Sequence, residues 1–255
     1  MSVGGRLVLI NSVLTSLAMF MLSFFEVPKQ VLERLDYYWS RFFWQSEEHK
    51  KKYRLAKWNI LCQPKEVGGL GIKNLDIQNR CLLSKWLFKL INEEGIWQSL
   101  LRKKYLRTRL LLKFKRNQGT QFWAGLMKVK DSFQTFGSFQ LNDGNQIRFW
   151  EDKWIGSHTL RQQYPSLFNI VRKKHATVAS VFDRVPLNVS FRRTLTCHNL
   201  YLWHDLVARI SHVQLNNNAD AFRWNLTQAG TFTVSSMYNV LISNGIVQLD
   251  KHLWN

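Results

Sequence analysis

The chain has 255 residues, 45% of them hydrophobic, including 11 Trp and 17 Phe; that is ample core material and excludes global disorder. Its 36 basic residues face only 17 acidic ones, for a net charge of +19, and such a field draws polyanions, nucleic acid first and anionic membrane second. Cys62, Cys81 and Cys197 are odd in number and form no C-x-x-C pair, which argues against a disulfide scaffold and fits a reducing compartment.

Residues 7 to 25, LVLINSVLTSLAMFMLSFF, carry no charge and are long enough to span a membrane. Asn11, Ser12, Thr15, Ser16 and Ser23 nevertheless fall within an arc of roughly 140° at about 100° per residue, which predicts a soluble helix packed by one face. No small-x-small cleavage site follows. A second helix is predicted from 28 to 44, with Pro28 in its first turn and a core stripe of Val31, Leu32, Leu35, Tyr38, Trp39, Phe42 and Phe43. Joined near 26 to 28, the two make an αα-hairpin.

The stretch HKKKYRLAKW (49 to 58) sets Lys50, Lys51, Lys52, Arg54 and Lys57 together with no acid among them. It reads equally as a solvated loop or as a phosphate contact. QPKEVGGLGIKNL (63 to 75) follows. Ile72, not the Gly-Lys-Ser/Thr of a phosphate loop, follows its last glycine, Lys65 lies before the glycines, and the third glycine of a dinucleotide fingerprint is missing, so it reads as a tight turn. A third helix is predicted from Leu75 to Ile91, capped by Asn74, with Leu82, Leu83, Trp86, Leu87, Leu90 and Ile91 on one face. Gly95 breaks it. A fourth starts near Ile96 and leads into residues 102 to 116, the densest cationic stretch, where Arg102, Lys103, Lys104, Arg107 and Arg109 again meet no acid.

Beyond Gly137 the period changes to two. Phe139 and Leu141, a turn at Asp143-Gly144, then Ile147 and Phe149 predict one β-hairpin. Phe222, Trp224 and Leu226, a turn at Gly230, then Phe232 and Val234 predict a second, followed by a short helix capped by Ser235 and carrying Tyr238, Leu241 and Ile242. The fold class expected is therefore α+β, helical in the first half with two β-hairpins and a short helix in the second. The expected domains are 1–116, a connection at 117–136, and 137–255.

Residues that could carry chemistry are few. There is no H-E-x-x-H, no G-x-S-x-G and no Cys/His cluster at zinc spacing; Cys197-His198, with His204 and His212, lacks that geometry. Asp143 is explained by its turn, and Asp152 by pairing with Lys153 or Arg148. No Asp-Asp pair occurs, so a polymerase centre holding Mg²⁺ has no ligands in this chain.

GGRLVLINSVL (4 to 14), FFWQ (42 to 45), AKWNILCQPKEVGGLGIKNLDIQNRCLLSKW (56 to 86), NDGNQIRFWEDKWIG (142 to 156) and FRWNLTQAGTFTVSSMYNVL (222 to 241) occur in this order. Together they resemble the region after the polymerase core in non-LTR (LINE-type) retrotransposon reverse transcriptases. The resemblance implies that the two N-terminal helices form the thumb beside a template–primer duplex. It implies that the second half leads into the zinc-binding domain of these proteins. It also implies a fragment, since Met1 falls inside the first motif: the palm with its paired aspartates and Mg²⁺ belongs upstream, and the zinc ligands downstream. On this view the chain is not catalytic alone and holds no cofactor. Its partners are RNA, DNA or an RNA–DNA hybrid, together with the palm and zinc-binding domains of the parent protein. Its location is intracellular, and nuclear when acting with that parent. Arg6, Lys50, Lys51, Lys52, Arg54, Lys57, Arg102, Lys103, Lys104, Arg107 and Arg109 are the expected phosphate contacts. Two other readings stay open: a basic membrane-associated protein anchored by residues 7–25, and a relic of a decayed element that does not fold stably.

Overall fold

The computed structural model describes residues 1–44, 54–106, 111–113 and 119–253. The chain divides into two units, Met1–Thr135 with Phe232–Asn255, and Phe136–Thr231.

In unit 1, Ser2 caps α1 (Val3–Leu9), its hydroxyl accepting the Gly5 N–H at 3.2 Å. The helix passes through one π-turn (Ile10–Leu14) into α2 (Thr15–Phe24). A π-turn adds a residue, which rotates everything after it by about 100°. The single polar arc read from the sequence is lost for that reason. One face does pack inward through Ile10 and Leu22, as expected. The outer face is mixed and not wholly polar, however: beside exposed Asn11, Ser12 and Ser16, Leu17 is 70% and Phe20 69% exposed. The hydroxyls of Ser12, Thr15, Ser16 and Ser23 donate back to carbonyls of their own helix, at Val8, Ile10, Val13 and Met19.

α3 (Lys29–Trp44) buries Leu32, Trp39 and Phe43 against this face, whereas Val31 and Tyr38, expected in the core, are exposed. After the short α4 (Trp58–Leu61), the chain enters the glycine-rich turn. Gly68 has φ +87°, and a Cβ on Gly69 would lie 2.0 Å from the Gln63 carbonyl oxygen, so both positions require glycine. The amides of Gly69, Leu70 and Gly71 donate to the carbonyls of Pro64, Leu61 and Gln63 at 3.0 Å. These N–H groups are spent inside the turn, as a turn and not a phosphate cradle requires.

α5 (Leu75–Asn92) starts at Asn74, whose side chain accepts the Ile77 N–H at 3.0 Å. It packs against α2, against α7 (Gln121–Thr135) and against α12 (Val234–Leu253). Burial on several sides explains why polar Asn79 and Ser84 are inside it along with Leu83, Leu87 and Leu90. Between α5 and α7, α6 (Ile96–Leu101) continues into a π-turn at Arg102–Leu106. α7 lies across the segment read from the sequence as a connection. α12 replaces the expected short helix: Thr233, not Ser235, caps it by accepting the Ser236 N–H. The Tyr238 hydroxyl accepts the Asn74 N–H at 2.9 Å, closing α12 onto the start of α5.

In unit 2 the class is α+β as expected, but the two local hairpins are not formed. β1 (Gly137–Gln140) pairs antiparallel with β2 (Ala221–Trp224), Gly137 opposite Trp224 and Phe139 opposite Phe222. Each expected hairpin thus supplies one strand. Ile147 and Phe149 leave the strand path to enter the core with Trp150, Leu160, Leu167, Val178, Val181 and Leu206. Their backbone pairs with 176–178 instead: Phe149 N–H to Ala176, and Val178 N–H to Ile147. Past Gly230, Phe232 belongs to unit 1, its ring 6.0 Å from Phe88 and 6.1 Å from Phe133. The segment the sequence left unordered holds α8 (Leu160–Gln163) with a Thr159/Gln162 capping box, α9 (Pro165–Ile170), α10 (Val178–Phe182) and α11 (Cys197–Ile210). Asp152 accepts the Arg148 backbone N–H at 2.7 Å, and Glu151 takes the Arg148 guanidinium at 2.7 Å.

Candidate nucleic-acid interface

The expected phosphate contacts separate into three groups. Lys50, Lys51, Lys52, Arg107 and Arg109 lie outside the described residues. Arg54, Lys57, Lys103 and Lys104 are exposed, with their charges turned to solvent. Arg6 and Arg102 are committed to the protein itself.

Arg6 is a correction. It is 5% exposed, because α1 packs along α3, and its Nε and Nη1 make no hydrogen bond. It presents no charge to a duplex. Arg102 is half-buried and closes the C-terminal end of α5: its Nε and Nη2 donate to the Leu90 carbonyl at 3.0 and 2.6 Å, and Nη2 to that of Glu93 at 3.1 Å. Those carbonyls have no intrahelical donor, so the guanidinium acts as a helix cap.

The remaining cations of the π-turn sit beside an aromatic stack. Tyr105 lies 4.4 Å from Trp123 with the rings 9° from parallel, and its hydroxyl is 2.9 Å from the Thr120 hydroxyl. The Lys104 ammonium stands 5.2 Å from the Tyr105 ring centroid. Some burial pushes the Tyr105 phenol up, but the hydrogen bonds from Thr120 and Lys104 outweigh it and hold the phenol below its usual range. Arg54 covers Tyr37 in the same manner at 5.6 Å. Flexible ammonium and guanidinium groups on aromatic supports neutralise phosphates without reading bases.

Sequence reasoning missed cations in unit 2. Arg172, Lys173, Arg192 and Arg193 are exposed. A bridge between Val171 and Phe191 brings their two segments side by side, although they stand about twenty residues apart in the sequence. The runs RKK (172 to 174) and RR (192 to 193) were legible as charge; only the bridge shows that Arg172 and Arg192 stand diagonally across from each other.

Among the described residues no group of three or more His, Cys, Asp or Glu is placed to hold a metal ion. Cys62 and Cys81 are buried thiols, each pushed by burial up to about 12, and Cys197 is free and exposed. Among the described residues one helix, Val3–Phe24, is long and apolar enough to cross a membrane.

Over 253 residues the chain is 29% identical to a putative ribonuclease H protein of Arabidopsis thaliana, a match covering 94% of this chain and 39% of that protein. Over 147 residues it is 26% identical to an uncharacterized mitochondrial protein of the same plant, covering 56% of this chain and 96% of that one. No family model and no solved structure matches. The chain thus spans about two fifths of the first relative's length.

Proposed function

We propose that this chain is a nucleic-acid-binding part of a retrotransposon RNA-directed DNA polymerase, holding the phosphates of a template–primer duplex and not catalytic alone. The carrying observation is the excess of solvent-facing cations, on a net charge of +19. The five motifs in order and the similarity to a much longer putative ribonuclease H protein support the reading. The palm and zinc-binding domains, with the Mg²⁺ and Zn²⁺ they bind, belong to the parent protein on this view.

The test is anisotropy of labelled RNA, DNA and hybrid duplexes across a salt series. Affinity should fall linearly in log–log form, by about 0.9 per phosphate neutralised. Lys103→Gln with Lys104→Gln should lower that slope by about two. Arg6→Met should leave affinity and slope where they were, because its charge never meets solvent. Affinity unmoved between low and physiological salt would sink the reading.

A second reading is favoured by one observation. The outer face of Val3–Phe24 exposes Leu17, Phe20 and Met21, and the Ser12, Thr15, Ser16 and Ser23 hydroxyls are satisfied within the helix, which suits hydrocarbon as well as protein. On that reading the chain floats with vesicles after an alkaline wash; recovery in the soluble fraction rejects it.

A further inference from the structure

We infer that unit 2 carries a second phosphate-binding surface of its own, made by Arg172, Lys173, Arg192 and Arg193, whose ligand is a nucleic-acid backbone. The inference rests on the nucleic-acid reading above but adds a site where that reading placed none.

The geometry starts from the backbone. Val171 and Phe191 face each other across an isolated antiparallel bridge. Arg172 N–H donates to the Ser190 carbonyl at 2.9 Å, and Arg192 N–H to the Ile170 carbonyl at 2.8 Å. The bridge therefore sets Arg172 and Arg192 diagonally across it, two positions apart, and Lys173 and Arg193 follow them in opposite directions. Val171 is buried in the unit 2 core, so the bridge is anchored from beneath. The Arg172 Nε donates to the Phe191 carbonyl at 2.9 Å, which ties the root of its guanidinium across the bridge and leaves both terminal nitrogens free of that bond. Next to the bridge, Arg161 and Lys174 stand on the Phe168 ring, each 4.9 Å from its centroid.

Such a cluster repels itself unless anions compensate it, and the carboxylates of unit 2 are occupied elsewhere. Asp143 accepts from Asn145 in its own turn, and Glu151 serves Arg148 and His175. Asp152 accepts the Arg148 N–H, and Asp205 the Tyr164 hydroxyl at 2.6 Å. Asp220 accepts three backbone N–H groups, and Asp183 lies 3.9 Å from Arg184. Four exposed cations that flank one bridge, with no carboxylate of unit 2 paired to them, are an electrostatic footprint for a polyanion. They extend to either side of the bridge instead of converging on one point. That favours a ligand whose charges repeat along a strand, which is a nucleic-acid backbone.

The experiment uses the full chain carrying Arg172→Gln, Lys173→Gln, Arg192→Gln and Arg193→Gln together, with a melting curve to verify the fold. Binding of labelled single-stranded and duplex oligonucleotides is followed from 50 to 200 mM salt. The expected result is a slope reduced by roughly three to four and a loss of affinity on the order of 100-fold at 50 mM salt. The Lys103/Lys104 variant, measured beside it, reports on unit 1. A slope unchanged in the fourfold variant but lowered in the Lys103/Lys104 variant overturns this surface and leaves the nucleic-acid reading standing. No salt-dependent binding by the unaltered chain overturns both. A fourfold variant that loses affinity for phosphatidylserine vesicles while keeping it for oligonucleotides assigns the surface to lipid and overturns the inference.

Discussion

Asp220→Ala is expected to destabilise unit 2 by about 3–5 kcal/mol, measured as a lowered urea midpoint by tryptophan fluorescence. The side chain is 5% exposed, and its two oxygens organise the whole 142–146 loop. Oδ1 accepts the N–H groups of Asn142 and Gly144, and Oδ2 that of Gln146, all at 2.9 Å. Removing the carboxylate leaves three donors in or near the interior with no acceptor, and each costs about 1–3 kcal/mol, though not additively. The loop cannot move to recover them. Gly144 has φ +71°, and a Cβ there would sit 2.8 Å from the Ala179 nitrogen, so it is pressed against α10. Asp220→Asn separates acceptance from bulk. It keeps one oxygen but sets an amide N–H₂ against a backbone donor, so it should fall between wild type and alanine. Equal stability of all three proteins would show that the loop holds itself.

Asn79→Ala should cost unit 1 about 3–4 kcal/mol. Asn79 is 3% exposed in the middle of α5. Its Nδ2 donates to the carbonyls of Leu22 at 2.6 Å and Phe25 at 2.8 Å, and its Oδ1 accepts the Val27 N–H at 3.1 Å. One amide therefore closes the end of α2 and fixes the entry to α3, the joint of the helical hairpin. The Trp86 indole adds a bond to the Ser23 carbonyl at 3.0 Å on the same turn. Asn79→Asp should be worse than alanine at pH 7, since a carboxylate would face two carbonyl oxygens it cannot donate to. Thermal melts of the three proteins give the order directly. An alanine variant within about 0.5 kcal/mol of wild type would assign the joint to packing alone.

Both residues mark where reading the chain reached its limit. Asn79 sits inside the string that carried the family resemblance, yet nothing local says that its amide reaches back to residues 22–27. Asp220 precedes a strand, and no spacing rule links it to the Asp143-Gly144 turn.

What the sequence determined by itself was the local chemistry. Asn74 caps α5 because its side chain reaches the third amide of its own helix. The glycine-rich string is a turn because Gly68 and Gly69 are the residues that such backbone allows. The α+β class followed from the change of period after Gly137, and the net positive charge from composition alone. Tertiary structure decided the rest. An alternating apolar pattern says that a segment is extended and half-buried but not which strand it meets, so β1 found β2 about eighty residues away rather than its neighbour. A π-turn rotated α2 and turned an apolar face outward, because one added residue shifts every later side chain. Burial withdrew Arg6 and the α5 carbonyls engaged Arg102, while a single bridge set the distant Arg172 and Arg192 diagonally across from each other. Charge is written along the chain; where it points is fixed by what each backbone packs against.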